Sequence, residues 1–108
     1  MPIRDFPWSA REKNIAREAF NKAHEREISL IRKEVLQRAA TLRDAKGVWA
    51  LHDYLSDKRH EMDQKYDYRY SVLISVFATL VAQGLLTETD LAGLSEDKLA
   101  VIAKLSQC

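Results

Sequence analysis

Ser9-Ala10-Arg11-Glu12-Lys13-Asn14-Ile15-Ala16-Arg17-Glu18-Ala19-Phe20-Asn21-Lys22-Ala23 carries the signals that set the fold. Ser9 followed three residues later by Glu12 is a capping box, which satisfies two backbone N–H groups that a helix start leaves without partners. Phe6, Pro7 and Trp8 precede the cap and are placed to pack as a hydrophobic staple. Beyond it, apolar residues recur at Ile15, Ala19, Phe20 and Ala23, then at Ile31, Val35, Ala39 and Leu42. Steps of three, four and their multiples draw one face of an amphipathic helix. Glu18–Lys22 and Glu34–Arg38 add supporting pairs four residues apart on its polar side. The spacing predicts a helix from Ser9 toward Thr41, with room for a break near Ser29, where the stripe drifts.

The same chemistry continues outward. Both prolines lie in the first seven residues, and there are only three glycines. The remainder is rich in Ala, Leu, Arg, Lys and Glu, which lose little side-chain entropy in a helix. No segment sustains strand alternation. Asp44-Ala45-Lys46-Gly47 reads as a turn, followed by a second helix from near Val48 to about Gln83, with Gly84 placed to end it. Thr87 with Asp90, and Ser95 before Glu96 and Asp97, read as caps of short terminal helices. The last of these carries Leu99, Ile102 and Leu105 on one face.

A helix of about thirty residues extends roughly 45 Å. Two such rods in a hairpin cover only part of their apolar stripes, so the uncovered part calls for a partner chain, most simply an identical one on a two-fold axis. The run Ser71–Ala82 is apolar nearly all round, as expected of a helix buried on several sides. The expected architecture is therefore all-α, a long helical hairpin with a compact C-terminal helical end, assembled as an elongated homodimer. The chain reads as one domain, 1–108, with a dimerising rod over about residues 9–70 and a head over about 71–108.

Composition narrows the function. The 17 basic and 16 acidic residues leave a net charge of +1, which gives no global attraction to nucleic acid or acidic membranes. The balance is uneven along the chain: residues 1–46 hold 11 Lys and Arg against 7 Asp and Glu, and residues 47–108 hold 6 against 9. Two such halves can meet within a chain or between chains. The single cysteine, Cys108, is the last residue and has no intrachain partner, so nothing suggests an oxidising compartment. Met1–Pro7 is followed by no apolar signal region, and no apolar run is long enough to span a bilayer. A soluble cytoplasmic protein is the expectation.

At 100° per residue, the 48–70 segment separates into two faces. One carries Val48, Leu51, Leu55, Met62 and Tyr66 and reads as core or as dimer seam, the seam being Val48, Leu51 and Leu55. Its neighbour carries Trp49, His52, Asp53, Ser56, Arg59, His60 and Asp63. Charges of both signs make that face a poor core, and the tryptophan makes it a poor solvated face. Trp and Arg among short polar groups are typical of a protein-binding hot spot. Blander readings stand beside this one: Trp49 as a plug for the hairpin turn, Asp53 in a surface ion pair with Lys58 or Arg59, and the histidines as surface hydrogen bonders.

Other chemistry is suggested only weakly. Asp57 and His60 have the spacing of half a di-iron helical site, but no second acid–histidine pair exists and Lys58 and Arg59 would repel a metal. No phosphate loop, nucleophile elbow or zinc-protease motif is present, so neither catalytic residues nor a cofactor is expected. The basic residues of the first helix are interleaved with Glu18, Glu25, Glu27 and Glu34, which leaves no continuous stripe for nucleic acid.

The run Trp49-Ala-Leu51-His52-Asp53-Tyr54-Leu55-Ser56-Asp57-Lys58-Arg59-His60-Glu61-Met62-Asp63-Gln64-Lys65-Tyr66-Asp67-Tyr68-Arg69 resembles the central signature of the cyanobacterial fluorescence recovery protein family. Further similarity lies in Pro7-Trp8-Ser9, in Phe20 to Glu27, and from Ser71 through Phe77 to Leu85, so it covers nearly the whole chain in order. The resemblance implies a helical homodimer that is not an enzyme and binds no cofactor, metal, nucleic acid or membrane interior. Its implied partner is the orange carotenoid protein in its light-activated red form, engaged chiefly through that protein's C-terminal domain. Binding would hasten return to the orange form and release from the phycobilisome, restoring antenna fluorescence, on the cytoplasmic side of thylakoid membranes. The residues it ties to this activity are Trp49, His52, Asp53 and Arg59, with His60 and Ser56 as further candidates, all on the mixed face drawn from periodicity. The chain departs from the family pattern at Ser75, where an aromatic residue often stands, and at Val101, where a lysine can occur. A second contact through the C-terminal end is therefore in question.

Overall fold

A computed structural model describes residues 6–107, so Cys108 and the first five residues lie outside it. Four helices follow in order: α1 Ala10–Ala40, α2 Ala45–Lys65, α3 Leu73–Ala82 and α4 Glu96–Ser106. The molecule measures 53 × 24 × 23 Å, with a radius of gyration of 16.8 Å. A compact domain of this length would have a radius of about 13 Å, so the chain is a rod with a thickened end.

α1 begins at the expected capping box. The Glu12 N–H donates to Ser9 Oγ at 3.1 Å, and the Ser9 N–H donates to Glu12 Oε1 at 3.1 Å. The helix then runs unbroken for 31 residues, so the break for which the sequence left room near Ser29 does not occur. The drift of its stripe has another cause. Ala16, Ala19 and Ala23 are buried against α3 and α4, whereas Ile31 and Val35 turn toward α2. One straight helix thus serves two neighbours on different sides.

After a turn, α2 starts at Ala45, with Asp44 as its cap accepting from the Gly47 N–H at 2.9 Å. It returns antiparallel to α1. The Arg38 guanidinium lies 4.1 Å from the Tyr54 ring near the turn, and Lys65 Nζ reaches Glu27 Oε2 at 2.7 Å at the far end. The second helix does not continue to Gln83. It stops at Lys65, and the backbone of residues 66–72 is not helical before α3 begins. The reason lies in Tyr66, Tyr68 and Tyr70. Residues two apart share a side only on an extended backbone, and a helix would scatter them. Here Tyr66 and Tyr68 both meet Phe20 of α1 edge-on, at 5.4 and 4.9 Å, and Tyr70 meets Trp8 at 5.5 Å.

α3 is the centre of the core: Leu73, Ile74, Phe77 and Leu80 are fully buried. Gly84 ends it at φ 75°, a left-handed conformation that costs glycine little. The Leu85 N–H donates to Leu80 O and the Gly84 N–H to Val81 O, which makes the end a Schellman motif. Thr87 and Asp90 do bond in the manner of a cap, with the Thr87 N–H donating to Asp90 Oδ2 at 2.9 Å, but only turns follow and no helix. Gly93, at φ 104°, ends that stretch where any Cβ would meet Ile15 Cδ1 at 2.5 Å. Ser95 caps α4 as expected.

Polar contacts tie the head to α1. Lys98 of α4 is buried and places Nζ 3.1 and 3.0 Å from the two Glu12 oxygens, beneath the rings of Trp8 and Phe6. The Ser95 N–H also donates to Glu12, at 2.9 Å, so one carboxylate joins the starts of α1 and α4. Arg26 donates to Leu85 O and to Asp90, and Tyr66 donates its hydroxyl to Glu27. No helix among the described residues is long and apolar enough to cross a membrane.

Candidate partner-binding face

α2 presents two sides. Toward α1 it turns Leu51, Tyr54, Lys58 and Met62, of which Met62 is buried and the others half-buried. Val48 and Leu55 belong to the same apolar stripe but stay 45% and 40% exposed. Ile28, Leu30 and Leu36 of α1 are exposed as well. Of these, Ile28 lies beside Leu55 across the groove between the two helices. Ile28, Leu30 and Leu36 are absent from the stripe read in the sequence; Leu30 and Leu36 fall off its period, whereas Ile28, seven residues before Val35, lies on it. The available signal was the density of aliphatic residues between 28 and 36, too high for a single face.

On the other side of α2 every residue singled out by sequence is exposed. Trp49 is 63% exposed at the hairpin end, so it does not plug the turn. The His52 ring stands edge-on to it with centroids 6.2 Å apart, and His52 Nδ1 lies 3.2 Å from Asp53 Oδ1. Arg59 Nε is 4.0 Å from Asp63 Oδ2, and His60 Nε2 is 3.2 Å from Gln64 Nε2. Ser56 lies between them, exposed. The Asp53 and Arg59 side chains are 76% and 87% exposed, so their contacts with neighbours on the helix are weak. Such pairs exchange readily for contacts with a partner. Asp53 faces His52 rather than Lys58 or Arg59, so the ion pair suggested by spacing does not form.

Along its edge this face meets a groove of about 270 Å³ between the helices, lined by His24, Ile28, Ile31, Leu55 and Met62, with Arg59 and Asp63 at the rim. The arrangement offers an indole, a guanidinium and carboxylates on one rigid helix, next to an apolar channel. Among the described residues, no three His, Cys, Asp or Glu side chains converge as metal ligands would.

The profile of a family described as photoprotection regulator fluorescence recovery protein matches residues 8–106. The chain belongs to the fluorescence recovery protein family. It is 42% identical over 103 residues to the fluorescence recovery protein of Synechocystis, a match covering 95% of this chain and 94% of that protein. Solved structures agree. That of the Fremyella diplosiphon fluorescence recovery protein superposes with a TM-score of 0.90 at 48% identity, covering 94% of this chain and 100% of the other. That of the Synechocystis protein gives 0.90 at 41% identity with the same coverage. The all-helical fold expected from residue pattern is thus the fold of a fluorescence recovery protein, and its family is one of photoprotection regulators.

Proposed function

We propose that the chain binds the light-activated, red form of an orange carotenoid protein, chiefly at its C-terminal domain, and speeds its return to the orange form. Release from the phycobilisome and recovery of antenna fluorescence follow from that return. The observation that carries this proposal is the exposed face of Trp49, His52, Asp53 and Arg59, with Ser56 and His60 beside it, in a family of photoprotection regulators. The site of action is the cytoplasm, at the thylakoid surface where antennae sit.

No bond chemistry is required, so the chain acts without catalytic residues and without a cofactor. A binder accelerates a conformational return when it holds the transition state more tightly than the separated red state. Each 1.4 kcal/mol or so of that difference is about tenfold in rate. Trp49 supplies desolvated contact area, and Asp53 and Arg59 supply orientation. The experiment is co-migration: in size-exclusion chromatography the red form should elute with this chain, and the dark orange form should elute largely alone. Equal retention of both forms, or of neither, would count against the proposal.

The working unit in this proposal is a homodimer whose seam contains Val48, Leu51 and Leu55. Two copies would bury the patch that Val48, Leu55, Ile28 and Leu36 leave in water, and hold one partner domain while raising the effective concentration of the other. Val48→Glu is expected to weaken the dimer by about 1–2 kcal/mol, since the carboxylate would lose its water in the seam. Sedimentation equilibrium should show a dimer for the parent chain and a larger monomer fraction for the variant. A parent chain that is monomeric at micromolar concentration rules out this assembly.

A further inference from the structure

Lys13 and Arg17 of α1 each lie over a tyrosine ring at the head end of the rod. The Arg17 guanidinium lies over Tyr68, 3.7 Å from the ring centre, and the Lys13 ammonium lies 5.2 Å from the centre of Tyr70. Both cations are exposed. Neither has a carboxylate partner among the described residues, whereas Lys22 and Arg26 share Asp90, Arg69 takes Asp67 and Lys98 takes Glu12. A guanidinium stacked on a ring keeps its edge N–H donors free, and it has already given up much of the rotamer freedom that binding would cost.

The support beneath is rigid. Tyr68 and Tyr70 meet edge-to-face at 5.5 Å, and the Tyr68 hydroxyl donates to Lys13 O at 3.4 Å. Burial, with the Tyr70 hydroxyl beside it, pushes the Tyr68 phenol up to about 12, so the ring remains neutral under the cation. The row of rings runs on from Tyr68 to Phe20, then Tyr66, then His24, with centroids 4.9, 5.4 and 5.0 Å apart. His24 lines the groove whose rim holds Arg59. The row of rings thereby leads from the stacked cations to the groove at the edge of the outer face of α2.

We infer that Lys13 and Arg17 form a second docking site, for an acidic protein surface presenting two carboxylates about 6 Å apart, the rise of four helical residues. In assigning that surface to the partner of the α2 face, the inference rests on the proposed function; the site itself does not. Protein is favoured over nucleic acid and anionic membranes for a physical reason. Two cations next to Glu18 fall short of the 6–10 phosphate contacts, or the cluster of about 4–8 basic residues, that nucleic acid and anionic membranes call for.

The test uses the full chain and immobilised poly-L-glutamate as probe. Lys13→Gln with Arg17→Gln should weaken retention about tenfold. Arg32→Gln with Lys33→Gln, two exposed α1 cations over no ring among the described residues, should change it by less than about twofold. Equal losses in the two pairs, or no loss in the first, overturn the site. Tighter binding of duplex DNA or phosphatidylserine vesicles than of polyglutamate overturns its assignment to protein. A shift of the first pair to monomer in sedimentation shows a subunit contact instead. Polyglutamate retention is independent of the carotenoid protein, so a positive result here beside a failed co-migration would reject the proposed function and keep the site.

Discussion

Lys98→Met is expected to destabilise the folded chain by about 3–5 kcal/mol, because it leaves the Glu12 carboxylate buried without its cation. The parent pair is enclosed: the Lys98 and Glu12 side chains are 3% and 11% exposed. Burial alone would raise the Glu12 pKa. The Ser95 and Ser9 N–H groups and the Lys98 ammonium outweigh that effect and lower the carboxyl from its ordinary 4.5 to about 2. A carboxyl with a depressed folded pKa binds fewer protons folded than unfolded. Its contribution is therefore fully present above about pH 4.5 and is lost as pH falls toward 2. Urea midpoints should show the drop at neutral pH, and the difference between parent and Lys98→Met should shrink in that acid window. Adding Glu12→Gln to Lys98→Met should restore much of the stability, since glutamine at this position still serves a capping box. A single variant as stable as the parent would show that the pair does not hold α4 to α1.

Much of this architecture is legible from local pattern, because local pattern is what caps and periods encode. Ser9 with Glu12, Ser95, and Gly84 each act within a few residues of themselves, and each appears where the sequence places it. The separation of α2 into an apolar side and a mixed side likewise follows from 100° per residue, and the exposure of Trp49 and Arg59 agrees with it. What escapes is long-range partner choice. Glu12 and Lys98 are 86 residues apart, and nothing in the spacing of either names the other. Tyr66, Tyr68 and Tyr70 sit in a stretch of fair helical composition, yet their joint packing on Phe20 and Trp8 pulls the backbone straight. Asp90 reads in sequence as part of a helix cap. It does bond Thr87 in that way, but no helix follows, and the same carboxylate anchors Lys22 and Arg26, Arg26 holding it well below the usual range.

Arg59→Leu and Asp53→Leu should leave the helices and assembly almost unchanged, since both side chains point into water and their local pairs are weak. Each should nevertheless slow the assisted return of the carotenoid protein by roughly 30-fold. That factor corresponds to about 2 kcal/mol, the cost of removing one charge-assisted interaction from a desolvated partner surface. Trp49→Ala should act in the same direction. Being exposed, Trp49 contributes little to the hairpin, so its removal reports mainly on binding of the partner.

The central measurement is the decay of the red form in darkness, followed by absorbance, with no addition, with the parent chain, and with Arg59→Leu confirmed as folded and dimeric. The expected result is fast return to the orange form with the parent chain and a rate close to the unassisted one with Arg59→Leu. An Arg59→Leu variant as active as the parent would show that the outer face of α2 is not the working surface, and a parent chain that leaves the decay unchanged would contradict the proposed function itself.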